Sequence, residues 1–247
     1  MGLAIACAPV EPGHALKGHD DVEIWNSLLA QHGLDGGLDY AGLAGNEAEL
    51  DRYLATVATA DPEAMAESRR LSFWINAYNA VVAKLVLERY PEITSVRDVD
   101  GFFDGLTYRV AGEERTLDAI ETEARDSGDP RVHFAVVCAS TSCPGLRAEA
   151  FVADRLDQQL EEQTGAFLAD TTKGLRFDEA SGDLYLSSIF KWYAGDFTGG
   201  STVVAFFARG KVVEWLMPHL PSDLAARIKT ADPSVRYLDY DWSLNDR

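Results

Sequence analysis

Leu71-Ser72-Phe73-Trp74-Ile75-Asn76-Ala77-Tyr78-Asn79-Ala80 runs on without a breaker to Arg89, just before Pro91, and predicts a long helix at the heart of the fold. Trp74, Tyr78, Val81 and Leu85 fall on one helical stripe, as a buried face requires. Asn76 and Asn79 share a different face, so two amides project together from a helix that is otherwise largely apolar. Buried amides must find hydrogen-bond partners. They either orient a substrate or catalytic group, or tie neighbouring loops to the helix.

On the N-terminal side, Asp21 to Gln31 reads as a short helix ended by Gly33. Asn46 with Glu49 forms a capping-box-like start for a helix to about Thr59, and Asp61-Pro62 caps another. On the C-terminal side comes a hairpin from Leu106 to Thr116 turning near Ala111-Gly112, then a helix from Leu117 to about Arg125. Val132 to Val137 is strongly β-forming and reads as a mostly buried strand. A small-residue loop, Cys138 to Gly145, leads into a long helix expected from about Arg147 to Ala169. A second hairpin turns at Ser181-Gly182, and Ser187 or Ser188 caps a short helix through Tyr193. Helices near 201–208, 211–217 and 222–230 and a strand around Val235 to Tyr240 complete the reading.

The 247 residues are 47% hydrophobic and 25% charged, which excludes disorder and disulfide-dense miniature scaffolds and supports a core without a cofactor. Forty acidic against 22 basic residues give a net charge of −18, and no basic run interrupts it. Such a surface repels phosphate backbones and anionic lipid heads, so nucleic acid is not an expected partner. No stretch reaches the length of apolar residues needed to span a bilayer. Leu3-Ala4-Ile5-Ala6-Cys7, followed by Pro- and Gly-containing residues, resembles the end of a secretion signal. That reading makes residues 1–20 a flexible signal or lipoprotein remnant, places the protein in the periplasm or outside the cell, and allows membrane attachment only through a lipid on Cys7. Residues 21–247 then form a single domain, with 21–69 as a helical extension.

The strongest local concentration of reactive groups is His133-Phe134-Ala135-Val136-Val137-Cys138-Ala139-Ser140-Thr141-Ser142-Cys143. On a strand, His133 and Cys138 leave opposite faces. Cys143, beyond the strand end, folds back toward His133 and stands shortly before an expected helix N-terminus, where amides and dipole favour a thiolate. The chemistry this implies is a Cys143 nucleophile with His133 as base and acid, oriented by Glu121, and with the amides around Ser142 as an oxyanion hole. Three other readings stay open: a Cys138–Cys143 disulfide, a zinc site on His133, Cys138 and Cys143, and an inert packed turn.

The chain also resembles a known family, the bacterial proteins grouped as domain of unknown function 547. The resemblance rests on Phe73 to Asn79, on Asp129-Pro130-Arg131-Val132-His133-Phe134-Ala135 with Cys138-Ala139-Ser140 and Ser142-Cys143-Pro144, on Leu186 to Tyr193, and on Tyr240-Asp241-Trp242-Ser243-Leu244-Asn245. These motifs span a core of about 70–245. The family often has Asn where this chain has Val137. By analogy, the resemblance implies an α+β fold in which helices pack on an antiparallel sheet, as in papain-like and transglutaminase-like cysteine enzymes. The family itself assigns no activity; the function expected of the thiol site is that of a hydrolase or transferase that acts on or captures a small peptide or a γ-glutamyl thiol such as glutathione. The binding residues would be Asn76, Asn79, Ser140, Ser142 and Trp74, with Arg147 or Lys191 for a carboxylate and no metal or cofactor. The alternative is a non-catalytic module that binds a peptide or partner and keeps the enzyme shell.

Overall fold

The computed structural model describes residues 20–199 and 205–247. Helix α1 (Asp20–His32) turns through the short strands β1 (Gly33–Leu34) and β2 (Gly37–Leu38) into α2 (Tyr40–Ala44) and α3 (Glu47–Thr59). The central α4 (Glu67–Leu87) follows, then the hairpin β3 (Thr107–Val110) and β4 (Glu113–Thr116), which runs directly into α5 (Leu117–Arg125). After a long irregular stretch come α6 (Leu156–Ala169), the hairpin β5 (Leu175–Asp178) and β6 (Asp183–Leu186), and α7 (Ile189–Trp192). The last elements are α8 (Ala205–Leu216), α9 (Ser222–Ala231) and β7 (Ser234–Tyr237). The architecture is mixed α and β, as expected, but its sheets are small. The largest among the described residues is β5-β6-β7, in which β7 lies parallel to β6. The signal or lipoprotein reading of the N-terminus, Cys7 included, and the start of the helix expected near 201 lie outside the described residues.

Every side chain of α4 from Trp74 to Leu87 is buried, because the helix is apolar nearly all round and is enclosed by α2, α3 and α5 rather than laid on a sheet. One cation goes in with it. The Lys84 ammonium meets Glu47 at 2.7 Å and Asp51 at 2.6 Å, both from α3, so the buried charge is paired.

Within the described residues the helices expected near 201–208 and 211–217 are continuous as α8, and two further segments fold differently from their sequence reading because side chains hold their backbone groups. Asp129 caps the chain by accepting from the Arg131 amide, Pro130 fixes the first turn, and Pro130–Phe134 forms a 3-10 helix instead of a strand. Beyond it Asn79 donates to the Ala135 carbonyl at 2.9 Å and accepts from the Val137 amide at 2.8 Å, taking the groups a strand partner would use. Likewise no helix begins at Arg147. Asn76 holds the Phe151 amide and carbonyl at 3.0 and 2.7 Å, and Gln159 holds the Val152 amide and Ala150 carbonyl, both at 2.9 Å, so the segment stays non-helical until a 3-10 turn at Ala153–Arg155 leads into α6 at Leu156.

The buried apolar side chains form two clusters. One joins α1, α3, α4 and α5, and the other joins Phe134, the end of α6, the β5-β6 hairpin and α8 to α9. Val132 enters the first and Phe134 the second, which leaves His133 at the seam between them.

Candidate dithiol cleft

A cleft of about 360 Å³ opens along that seam. Cys138, Cys143, Val136 and His133 come from the irregular stretch after α5, Tyr78 from α4, Ile189, Trp192 and Tyr193 from α7 and its end, and Tyr240 and Trp242 from the segment after β7. Asp118 and Glu121 reach it from α5, with Phe103 and Asp104 from the loop before β3.

The two sulfurs lie 2.9 Å apart, and both cysteines are free. That distance exceeds the roughly 2.05 Å of a covalent bridge, so the pair is a dithiol here. Ala139, between Cys138 and Ser140, adopts φ +62°, a left-handed conformation costly for a residue with a Cβ. This kink lets the loop double back, so that the Cys138 amide donates to Cys143 Sγ at 2.9 Å. Residues 240–245 strap the loop down: Thr141 N donates to Ser243 O at 2.8 Å, Ser142 N to Asp241 O at 3.1 Å, and Asn245 N to Ala139 O at 3.0 Å. Ser142 Oγ accepts from Asp241 N at 2.8 Å, which makes Ser142 a fastener of the strap.

The thiols differ sharply. Cys143 is 3% exposed, and burial pushes its pKa well up. Cys138 is half-buried and is pulled down to about 7, chiefly by the hydrogen bond with Cys143, against its own desolvation and with help from the Ser140 and Tyr240 hydroxyls at 3.1 and 3.4 Å. Ser140 donates to Tyr240, which frees the phenol hydrogen for Cys138 Sγ. Of the two sulfurs, Cys138 is the more exposed and touches both hydroxyls, while Cys143 takes the Cys138 amide. The expectation that Cys143 is the nucleophile drew support from a helix start close behind it. That helix does not begin at Arg147: a 3-10 turn at Ala153–Arg155 comes first, and α6 starts at Leu156.

His133 is oriented by Asp196, not by Glu121. Its Nε2 donates to Asp196 Oδ2 at 2.7 Å, and Arg125 Nε donates to the same oxygen at 2.8 Å. These donors hold the Asp196 carboxyl below its ordinary range despite some burial, so it is ionised and fixes the tautomer, leaving Nδ1 as the ring's proton acceptor. The ring lies against Tyr193 and Phe197, with centroids 4.1 and 5.4 Å away. Tyr193 in turn donates to Glu121, whose carboxyl is raised by burial. Burial lowers His133 to about 4, outweighing Asp196. Above pH 6.5 the ring is neutral folded or unfolded, but below it only the unfolded chain takes the proton. Stability therefore falls by ~3 kcal/mol between pH 6.5 and 4. Glu121 acts in the opposite sense over part of that window, and Asp196 loses its contribution at still lower pH. We expect His133→Gln to flatten the fall in urea-melt stability across this window; an unchanged slope would show that His133 does not cause it.

The other expected site residues lie apart. Asn76 and Asn79 are occupied by the backbone groups described above. Trp74 is 3% exposed in the core under the Arg115 guanidinium. Arg147 is paired with Glu149 and Glu162 and Lys191 stands over the Tyr237 ring; neither lines the cleft. Among the described residues no group of His, Cys, Asp and Glu is arranged to hold a metal, and no helix is long and apolar enough to cross a membrane. Sequence reasoning missed Tyr78, Tyr193, Asp196, Tyr240 and Trp242. Tyr193 and Tyr240 stood in the sequence only as ends of expected elements and members of family motifs, with nothing to mark them as site residues, and Asp196 had no signal at all.

Fold and cleft together define an α+β protein with two free cysteines in contact at an aromatic, acidic opening. Residues 62–168 match the family described as "Protein of unknown function, DUF547", which bears out the resemblance read from the sequence. No curated protein and no solved structure gives a significant match.

Proposed function

We propose that the cleft is a thiol-centred site that acts on small disulfides by taking them up as mixed disulfides, those of peptide thiols and γ-glutamyl thiols such as glutathione among them. The observation that carries this reading is the contact of Cys138 and Cys143 sulfurs at 2.9 Å on an open cleft, with the more exposed thiol the more acidic. The Cys138 thiolate attacks one sulfur of a disulfide RSSR, forming Cys138–S–SR and releasing RS⁻. Cys143, after giving up its proton to the released thiolate, then attacks Cys138 Sγ and expels the second RS⁻. The protein loses two electrons and two protons as a Cys138–Cys143 bond forms, and RSSR becomes two RSH. The analogy with papain-like enzymes belongs to the same reading, supported by His133, which lines the cleft with the two cysteines and is hydrogen-bonded to the Asp196 carboxylate.

Oxidised glutathione tests this directly. With the reduced protein at pH 7, intact mass should show a transient adduct at Cys138 and then a species two mass units below the starting protein, with both cysteines linked in the peptide map. Cys143→Ala should stop at the adduct. Absence of any Cys138 adduct, in native protein and variant alike, would overturn the proposal.

A further inference from the structure

We propose that the cleft selects compounds whose sulfur is flanked by a positive charge: an aminothiol, its disulfide, or a peptide thiol bearing an amine without a compensating carboxylate. This rests on the thiol reading above and concerns only which compounds reach Cys138.

The first support is the charge of the cavity. Asp104, Asp118 and Glu121 line it, and no Lys or Arg does. The nearby guanidiniums are otherwise engaged: Arg125 is bonded to Asp196 and lies over Tyr193 at 4.9 Å, and Arg97 lies over Trp242 at 5.5 Å. The Asp118 carboxyl is raised by its own burial and then by the charge of Asp104, so a cation beside it relieves a repulsion already present.

The second support is independent of charge count. Trp192, Tyr240 and Trp242 form a continuous aromatic wall, with centroid separations of 4.8, 4.6 and 5.9 Å, and Trp192 is 48% exposed. Trp and Tyr faces carry negative charge density and attract ammonium groups, most strongly where water is partly excluded. Tyr240 belongs both to this wall and to the hydrogen bonds on Cys138, which places the attraction beside the reacting sulfur. A carboxylate in the same position meets three carboxylates and the electron-rich ring faces. Glutathione, with two carboxylates and one ammonium, is by this argument a poorer occupant than a net cationic thiol.

The test compares cystamine, bis(2-hydroxyethyl) disulfide and 3,3′-dithiodipropionate on the full reduced chain. Initial rates of adduct formation at Cys138, resolved from Cys7 and Cys143 by peptide mapping, are divided by the rates of the same reagents with 2-mercaptoethanol. The expected order is cation, neutral, anion, with roughly tenfold between steps at low salt and less at high salt. Asp104→Asn and Asp118→Asn should each lower the cation-to-neutral ratio severalfold. Equal or inverted rates would overturn the inference. So would a preference that survives both substitutions, since it would arise from the overall charge of −18. If no reagent modifies Cys138, the thiol reading itself fails and takes this inference with it.

Discussion

Cys138→Ala removes rapid alkylation of the cleft at pH 7, leaving the described part of the chain with only the slow labelling of a buried thiol. Cys143 is 3% exposed and its ionisation is opposed by burial, so it reacts neither quickly nor near neutrality once its neighbour is gone. Cys143→Ala has the complementary effect. Cys138 remains reachable, but the largest contribution lowering its pKa is lost, and the pH midpoint of labelling rises by about one pH unit. At pH 6 that is about tenfold less thiolate. Iodoacetamide rates from pH 5 to 9, mapped by peptide, separate the two variants. The assignment is sunk if Cys143 carries the fast reaction, or if removing it leaves the Cys138 profile in place.

Asn79→Ala lowers stability by about 3 kcal/mol, a large effect for one exchange outside the cleft. The amide serves a buried carbonyl and a buried N–H of the segment leading to Cys138, and alanine leaves both unpaired in an apolar surrounding. The same loss lets residues 135–137 move, so Cys143 becomes more readily alkylated even where the protein stays folded. Urea unfolding gives the first quantity and native-state labelling the second. A stability cost below about 0.5 kcal/mol, within the scatter of ordinary surface changes, would show that water or a shifted backbone replaces the amide.

Most helices were legible because their periodicity, caps and breakers are local. The helix expected to Gln31 ends at His32, the one expected from Asn46 runs Glu47–Thr59, and both hairpins turn where glycine permits a positive φ, at Gly112 and Gly182. Asn46 itself makes no cap; its amide oxygen bonds His32 Nε2 at 3.0 Å, a tertiary choice no spacing rule foresees. Two of the failures share one cause. Val132 to Val137 and residues 147–155 have the composition of a strand and a helix, but their backbone groups are taken by Asn79, Asn76 and Gln159 from elsewhere in the chain. The same blindness affected the site. A cysteine pair five residues apart was visible, whereas the partner of His133 lies 63 residues away and the phenol on Cys138 lies 102 away.

The strap at residues 240–245 carries a consequence for when reactivity arises. It follows every other element of the cleft in the chain, so during synthesis α4, the cysteine loop, His133 and Tyr193 all exist before the phenol and the backbone groups that fasten the loop. Until Tyr240 docks, Cys138 lacks one of its hydrogen-bond donors and the loop lacks its fasteners. A growing chain, or one cut between β6 and residue 240, therefore carries a thiol closer to an ordinary cysteine. Heightened reactivity becomes a report that translation and docking of this segment are complete.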